Sequence, residues 1–78
     1  MSNENKNQVV IQTEFIKLEA AMKLSNAVSS GGEAKNVILD GLVTVNGETC
    51  TMRGKKLRPG DSFTFQDTTY TVGLHERH

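Results

Sequence analysis

"SSGGEAKNVILDGLVTVNGE", residues 29–48, changes its hydrophobic period halfway along. The first half reads as a helix. Ser30 and Glu33 have capping-box spacing, in which the serine hydroxyl accepts from the amide three residues on and the glutamate reaches back. Ala34, Val37 and Ile38 then share one face, and Gly41 suits the left-handed position that ends a helix. The helix spans about two turns. From Leu42 the period becomes two. Asn46-Gly47 sits between β-prone segments, a strong short-range hairpin signal. A two-residue turn there pairs Val45 with Glu48, Thr44 with Thr49 and Val43 with Cys50. Val43, Val45, Cys50 and Met52 then point to the core and the threonines away from it.

The flanking segments extend this pattern. Upstream, "TEFIKLEAAMKLSNAV" (13–28) is rich in helix-forming residues, and Leu18, Ala21 and Met22 fall on one inward face. Neither helix is long enough to be stable alone, so the two must pack together. "VVIQT" (9–13) is β-branched and reads as a short edge strand. Downstream, Phe63 and Phe65 alternate inward, as do Tyr70, Val72 and Leu74, with Asp67-Thr68 expected to join the two strands. Arg58-Pro59-Gly60-Asp61 reads as a type II turn, with proline at the second position and glycine at the third. The expected architecture is α+β: two short packed helices against a small antiparallel sheet of two hairpins. The expected organisation is a disordered head at residues 1–8, one domain over 9–74 and a flexible tail at 75–78.

Seventy-eight residues suffice for one small domain, which buries only about 60% of its unfolded surface. One cysteine forms no intramolecular disulfide and suits a reducing compartment. No apolar run approaches the roughly 18 residues of a membrane helix. The opening "MSNENKNQ" is polar, unlike a secretory leader. A soluble, cytoplasmic, monomeric protein is expected. Nothing indicates catalysis. No Ser/His/Asp set is recognisable, the carboxylates are scattered, Cys50 is expected to face inward on a strand, and His75 and His78 lie in the tail. "SSGGEAK" is neither a dinucleotide fingerprint nor a Walker loop. No metal site and no cofactor are expected.

The charge distribution is more informative. The chain is neutral, yet Arg53, Lys55, Lys56 and Arg58 crowd six positions that contain no acid. In a bland reading they solubilise a sheet edge. In a binding reading a rigid Pro-Gly turn holds four cations against the phosphates of a nucleic acid, and Gly54 lets a ligand approach the backbone. Ser30, Gly31 and Gly32 open the second helix with amides at its positive end, though a helix-helix turn alone would also favour small residues. Lys35 lies off the apolar face of that helix. Lys17 and Lys23 do not share a stripe, and at most one of them is expected to meet the ligand.

These elements together resemble the small RNA-binding domain named after ribosomal small-subunit protein S4. The resemblance rests on Ser30, Glu33, Ala34 and Lys35; on Gly41; on Val43, Val45, Asn46 and Gly47; and on Pro59, Gly60 and Asp61. Lys17-Leu18-Glu19 is similar to the family's opening of helix one. The likeness runs from about residue 14 to 65 and is nearest to small stand-alone bacterial members. It implies an S4-like fold, with its paired-helix αL motif, and a non-catalytic module that binds structured ribosomal or transfer RNA, on the ribosome or its precursors. It implies RNA contacts at Lys17, Ser30, Gly31, Gly32 and Lys35 and at Arg53, Lys55, Lys56 and Arg58. One departure is marked: Gly31 and Lys17 and Lys35 stand where the family usually has arginine. That departure, with net neutrality, keeps open a protein-interaction adaptor that retains the fold without strong RNA affinity, and DNA remains a third reading. Phe63, Phe65 and Tyr70 are expected in the core rather than as base-stacking platforms.

Overall fold

A computed structural model describes residues 7–74. The elements are β1 (Gln8–Ile11), β2 (Ile16–Lys17), α1 (Leu18–Leu24), α2 (Gly31–Leu39), β3 (Val43–Val45), β4 (Glu48–Thr49), β5 (Lys56–Leu57), β6 (Ser62–Phe65) and β7 (Thr68–Leu74). Residues 1–6 of the expected head and the whole expected tail lie outside the described residues, but Gln8 already belongs to a strand.

The α+β class is as expected. One sheet has the order β1-β7-β6-β3-β4, and β2 with β5 forms a separate two-stranded ladder. Two features go beyond paired hairpins. β1 lies parallel to β7 at the sheet edge, which makes the sheet mixed. The hairpins are fused through antiparallel pairing of β3 with β6.

Turn chemistry explains most boundaries. Asn46 and Gly47 both have positive φ, 51° and 88°, as a type I′ hairpin requires. Gly60 has φ 101° and the Asp61 amide donates to Arg58 O at 2.9 Å, which closes the expected Pro-Gly turn. Helix α2 is capped by Ser30, whose hydroxyl accepts from the Glu33 amide at 3.2 Å. Glu33 itself reaches one residue further than a capping box would have it, and accepts from the amide and hydroxyl of Ser29. At the other end, Gly41 donates to Ile38 O and Leu42 to Val37 O, a Schellman closure with Gly41 at φ 77°. Helix α1 ends in the same way through Asn26 at φ 63°, with Asn26 donating to Lys23 O and Ala27 to Met22 O.

Four expectations are corrected. Helical structure does not extend over the whole of 13–28: α1 covers only Leu18–Leu24, and Ile16 and Lys17 are extended and pair with Leu57 and Lys56, so tertiary pairing overrides local helix propensity. The second hairpin turns at Gln66-Asp67, one position earlier than expected. That register keeps the same residues facing inward, stacks Phe63 on Tyr70 with centroids 4.9 Å apart, and brings the Thr64 and Thr69 hydroxyls to 2.9 Å. Met52 is 63% exposed because β4 ends at Thr49 and the chain then leaves the sheet. Leu74, at the end of β7, is also exposed.

The core joins Leu18, Ala21 and Met22 of α1 and Ala34 and Ile38 of α2 to Val43, Val45, Phe63, Phe65 and Val72 of the sheet. Leu57 completes it. This leucine lies inside the basic segment and is fully buried.

Candidate nucleic-acid interface

Lys17 precedes α1 and has no side-chain acceptor with which to cap it. The first amides of a helix nevertheless need partners. They find them in the basic segment: the Leu18 amide donates to Lys55 O at 2.8 Å, and the Glu19 amide to Arg53 O at 3.2 Å. The backbone of residues 53–55 therefore caps α1, while the side chains of Arg53 and Lys55 remain exposed.

Further anchors hold the same segment. A turn closes from the Lys55 amide to Met52 O at 3.2 Å. Next, β5 pairs with β2 while Leu57 plugs into the core. After it, the Arg58 amide donates to Asp61 Oδ2 at 2.8 Å. Asn46 of the first hairpin then ties this turn down, with Nδ2 donating to Asp61 Oδ1 at 3.3 Å and Oδ1 accepting from the Ser62 amide at 3.1 Å. The Asn-Gly and Pro-Gly-Asp motifs, 15 positions apart at their bonded residues, thus form one support.

The pairing of β2 with β5 sets Lys17 directly opposite Lys56. Side chains of directly opposed residues emerge on the same face, and like charges so placed repel. Both lysines are exposed. Lys56 also lies over the ring of Phe15, 4.9 Å from its centroid, an orienting cation–π contact. Arg53, Lys55 and Arg58 flank this pair along the chain and are exposed. A Cβ on Gly54 would meet no atom within 4 Å, and its φ is not positive, so the fold itself does not require glycine there.

The start of α2 forms a second group. The Ser30 hydroxyl is committed to the Glu33 amide, and the Glu33 carboxylate to Ser29. Those bonds from Ser29 hold the Glu33 carboxyl below its usual value. Gly31 and Gly32 carry no side chain over the first turn, and neither has the positive φ that would demand glycine. Lys35 is exposed and lies four residues after Gly31, on the same helical face. Lys23, which the sequence offered only as an alternative to Lys17, lies beside the start of α2. A Cβ on Gly31 would lie 3.9 Å from Lys23 Cδ and 4.0 Å from its Nζ, so a lysine from α1 lies at ordinary contact distance beside the position where a side chain at residue 31 would begin. Lys17, just before α1, and Lys23, in its last turn, lie about 9 Å apart along the axis. The two groups of cations therefore share one helix.

Residues 9–73 match the S4 domain. A Bacillus subtilis (strain 168) protein described as "Probable ribosome maturation protein RlbA" is 42% identical over 55 residues, which cover 70% of this chain and 78% of that protein. The chain belongs to the S4 domain family.

Proposed function

We propose that this S4-family chain is a non-catalytic, monomeric RNA-binding module that recognises structured RNA of the ribosomal or transfer class and acts in ribosome maturation in the cytoplasm. Arg53, Lys55, Lys56, Arg58 and Lys17 contact phosphates, and the Ser30-Gly31-Gly32 turn with Lys35 extends the contact. The observation that carries the reading is Lys17 opposite Lys56. A fold that sets two exposed lysines face to face, with three more cations beside them, gains from a polyanion laid across the pair. The family match and the name of the Bacillus relative support RNA and the ribosome as the setting. The few aromatics are inward or half-buried rather than arranged as an exposed platform, which favours recognition of A-form shape and 2′-hydroxyls over stacked single strands. No helix among the described residues is long and apolar enough to cross a membrane.

The test is a fluorescence-anisotropy titration of an RNA hairpin, the matching DNA hairpin and single-stranded RNA at two salt concentrations. The hairpin RNA should bind best, with a salt dependence equivalent to about three to five phosphates. Replacing Arg53, Lys56 and Arg58 together by alanine should abolish binding. Unaltered affinity and salt slope in that variant would refute the phosphate role. Absence of binding to all three nucleic acids at low salt would favour the protein-adaptor reading.

A further inference from the structure

Beside the cations lies a feature that phosphate contacts leave unused. The β3–β4 hairpin and the turn at residues 52–55 border an open surface cleft of about 490 Å³, within the volume range of small-ligand sites. Lys55 stands on its rim and belongs also to the cationic cluster. Glu48, Thr49, Thr51 and Met52 are among its other lining residues, with Cys50 set between them.

This lining does not suit a phosphate. Glu48 is the sole acid among residues 41–60, and a carboxylate on the wall repels phosphate. The same carboxylate accepts hydrogen bonds from an exocyclic amino group, as acidic side chains do for cytosine. The Thr49 and Thr51 hydroxyls can donate or accept. Met52, 63% exposed, offers a polarizable apolar surface to a flat ring. The cleft is also held in place, because residues 53 and 55 cap α1 and the lining residue Asn46 is hydrogen-bonded to Asp61 and Ser62.

We propose that this cleft receives one unpaired base bearing an exocyclic amino group, flipped out of an RNA whose adjoining phosphates lie on Lys55 and Arg53, with Glu48 accepting from the amine. The inference rests on the RNA-binding reading and adds a preference for a bulged nucleotide.

The experiment uses one hairpin stem in four forms: fully paired, or with a single bulged adenine, cytosine or uracil. Each is titrated by anisotropy against the full chain, Glu48→Ala and the triple variant of the basic segment. The adenine and cytosine bulges should bind about tenfold tighter than the paired stem and several-fold tighter than the uracil bulge. Glu48→Ala should abolish that discrimination while leaving the salt slope unchanged. A purely electrostatic Glu48 would instead strengthen all four RNAs equally on removal and preserve their ranking, which overturns the proposal. Alkylation of Cys50, the single cysteine, supplies a second readout: bulged adenine RNA should slow it and the paired stem should not. Equal affinity for paired and bulged RNA, with loss of binding in the triple variant, rejects the cleft and keeps the phosphate reading. Retained binding in the triple variant rejects both.

Discussion

Replacement of Leu57 by alanine should damage stability and binding together, although the side chain faces away from any ligand. Leu57 is fully buried and sits between Lys56 and Arg58. Truncating a buried leucine costs about 2–5 kcal/mol, through lost transfer energy and the cavity left behind. A domain of 78 residues has a total stability of roughly 4–12 kcal/mol, so the loss is a large fraction of the whole. With a urea slope near 1 kcal/mol/M, the unfolding midpoint should fall by about 2 M or more. Leu57→Met, which preserves volume, should cost under about 1.5 kcal/mol. The β2–β5 ladder and the backbone caps on α1 depend on the position of this segment, so the folded fraction of Leu57→Ala should also bind RNA more weakly. Urea unfolding followed by circular dichroism checks the first effect, and anisotropy at a temperature where the variant is folded checks the second. A midpoint equivalent to less than about 0.5 kcal/mol from the parent would show that Leu57 does not anchor the loop.

Three further outcomes are expected. Gly54→Ala should leave the melting temperature unchanged or slightly higher, because the added methyl meets no atom and the unfolded chain loses freedom, while RNA affinity falls if the ligand backbone approaches there; unchanged affinity removes Gly54 from the interface. Lys23→Ala should weaken RNA binding and reduce the salt slope by about one phosphate equivalent, and Gly31→Arg in that background should restore it, since position 31 has ordinary van der Waals room; a neutral Lys23→Ala confines the interface to the other end of α1. The lowered pKa of Glu33 means that its bonds to Ser29 stabilise the fold above the ordinary glutamate range and are lost as the pH falls through the folded value. The stability difference between the parent and Glu33→Gln should therefore shrink in acid, and a difference that stays constant from neutral pH to pH 3 contradicts the assignment.

Features with local causes were legible in the sequence. Ser30, Gly41, Asn46-Gly47 and Pro59-Gly60 each act within four residues, through caps and turns whose chemistry is written in residue type. The helix faces followed from period, and the predicted core members Leu18, Ala21, Met22, Ile38, Val43, Phe63 and Val72 are all buried. Features that depend on distant partners were not legible. Ile16-Lys17 looks helical until Lys56-Leu57 pairs with it. Gln66-Asp67 carries none of the glycine that marks such a turn, and both residues adopt positive φ to preserve the strand register. Of the site, the cluster at 53–58 was evident from charge alone. Its relation to Lys17 needed the β2–β5 register, and the nearness of Lys23 to Gly31 needed the packing of the two helices. A fully buried leucine inside a run of cations was the overlooked clue, since a freely solvated loop has no use for it.

The capping of α1 by the carbonyls of Arg53 and Lys55 has a consequence for how charge can be borrowed from this protein. A synthetic peptide copied from residues 53–58 would carry all four cations and lack the helix that aims them. Grafted alone onto another scaffold, the hexapeptide would behave as a generic polycation, attracted to any anionic surface. The transplantable unit is the segment together with residues 15–24, a hook and its backing plate. On that assembly the backbone that carries the side chains is settled before any ligand arrives, and the partner must do the bending.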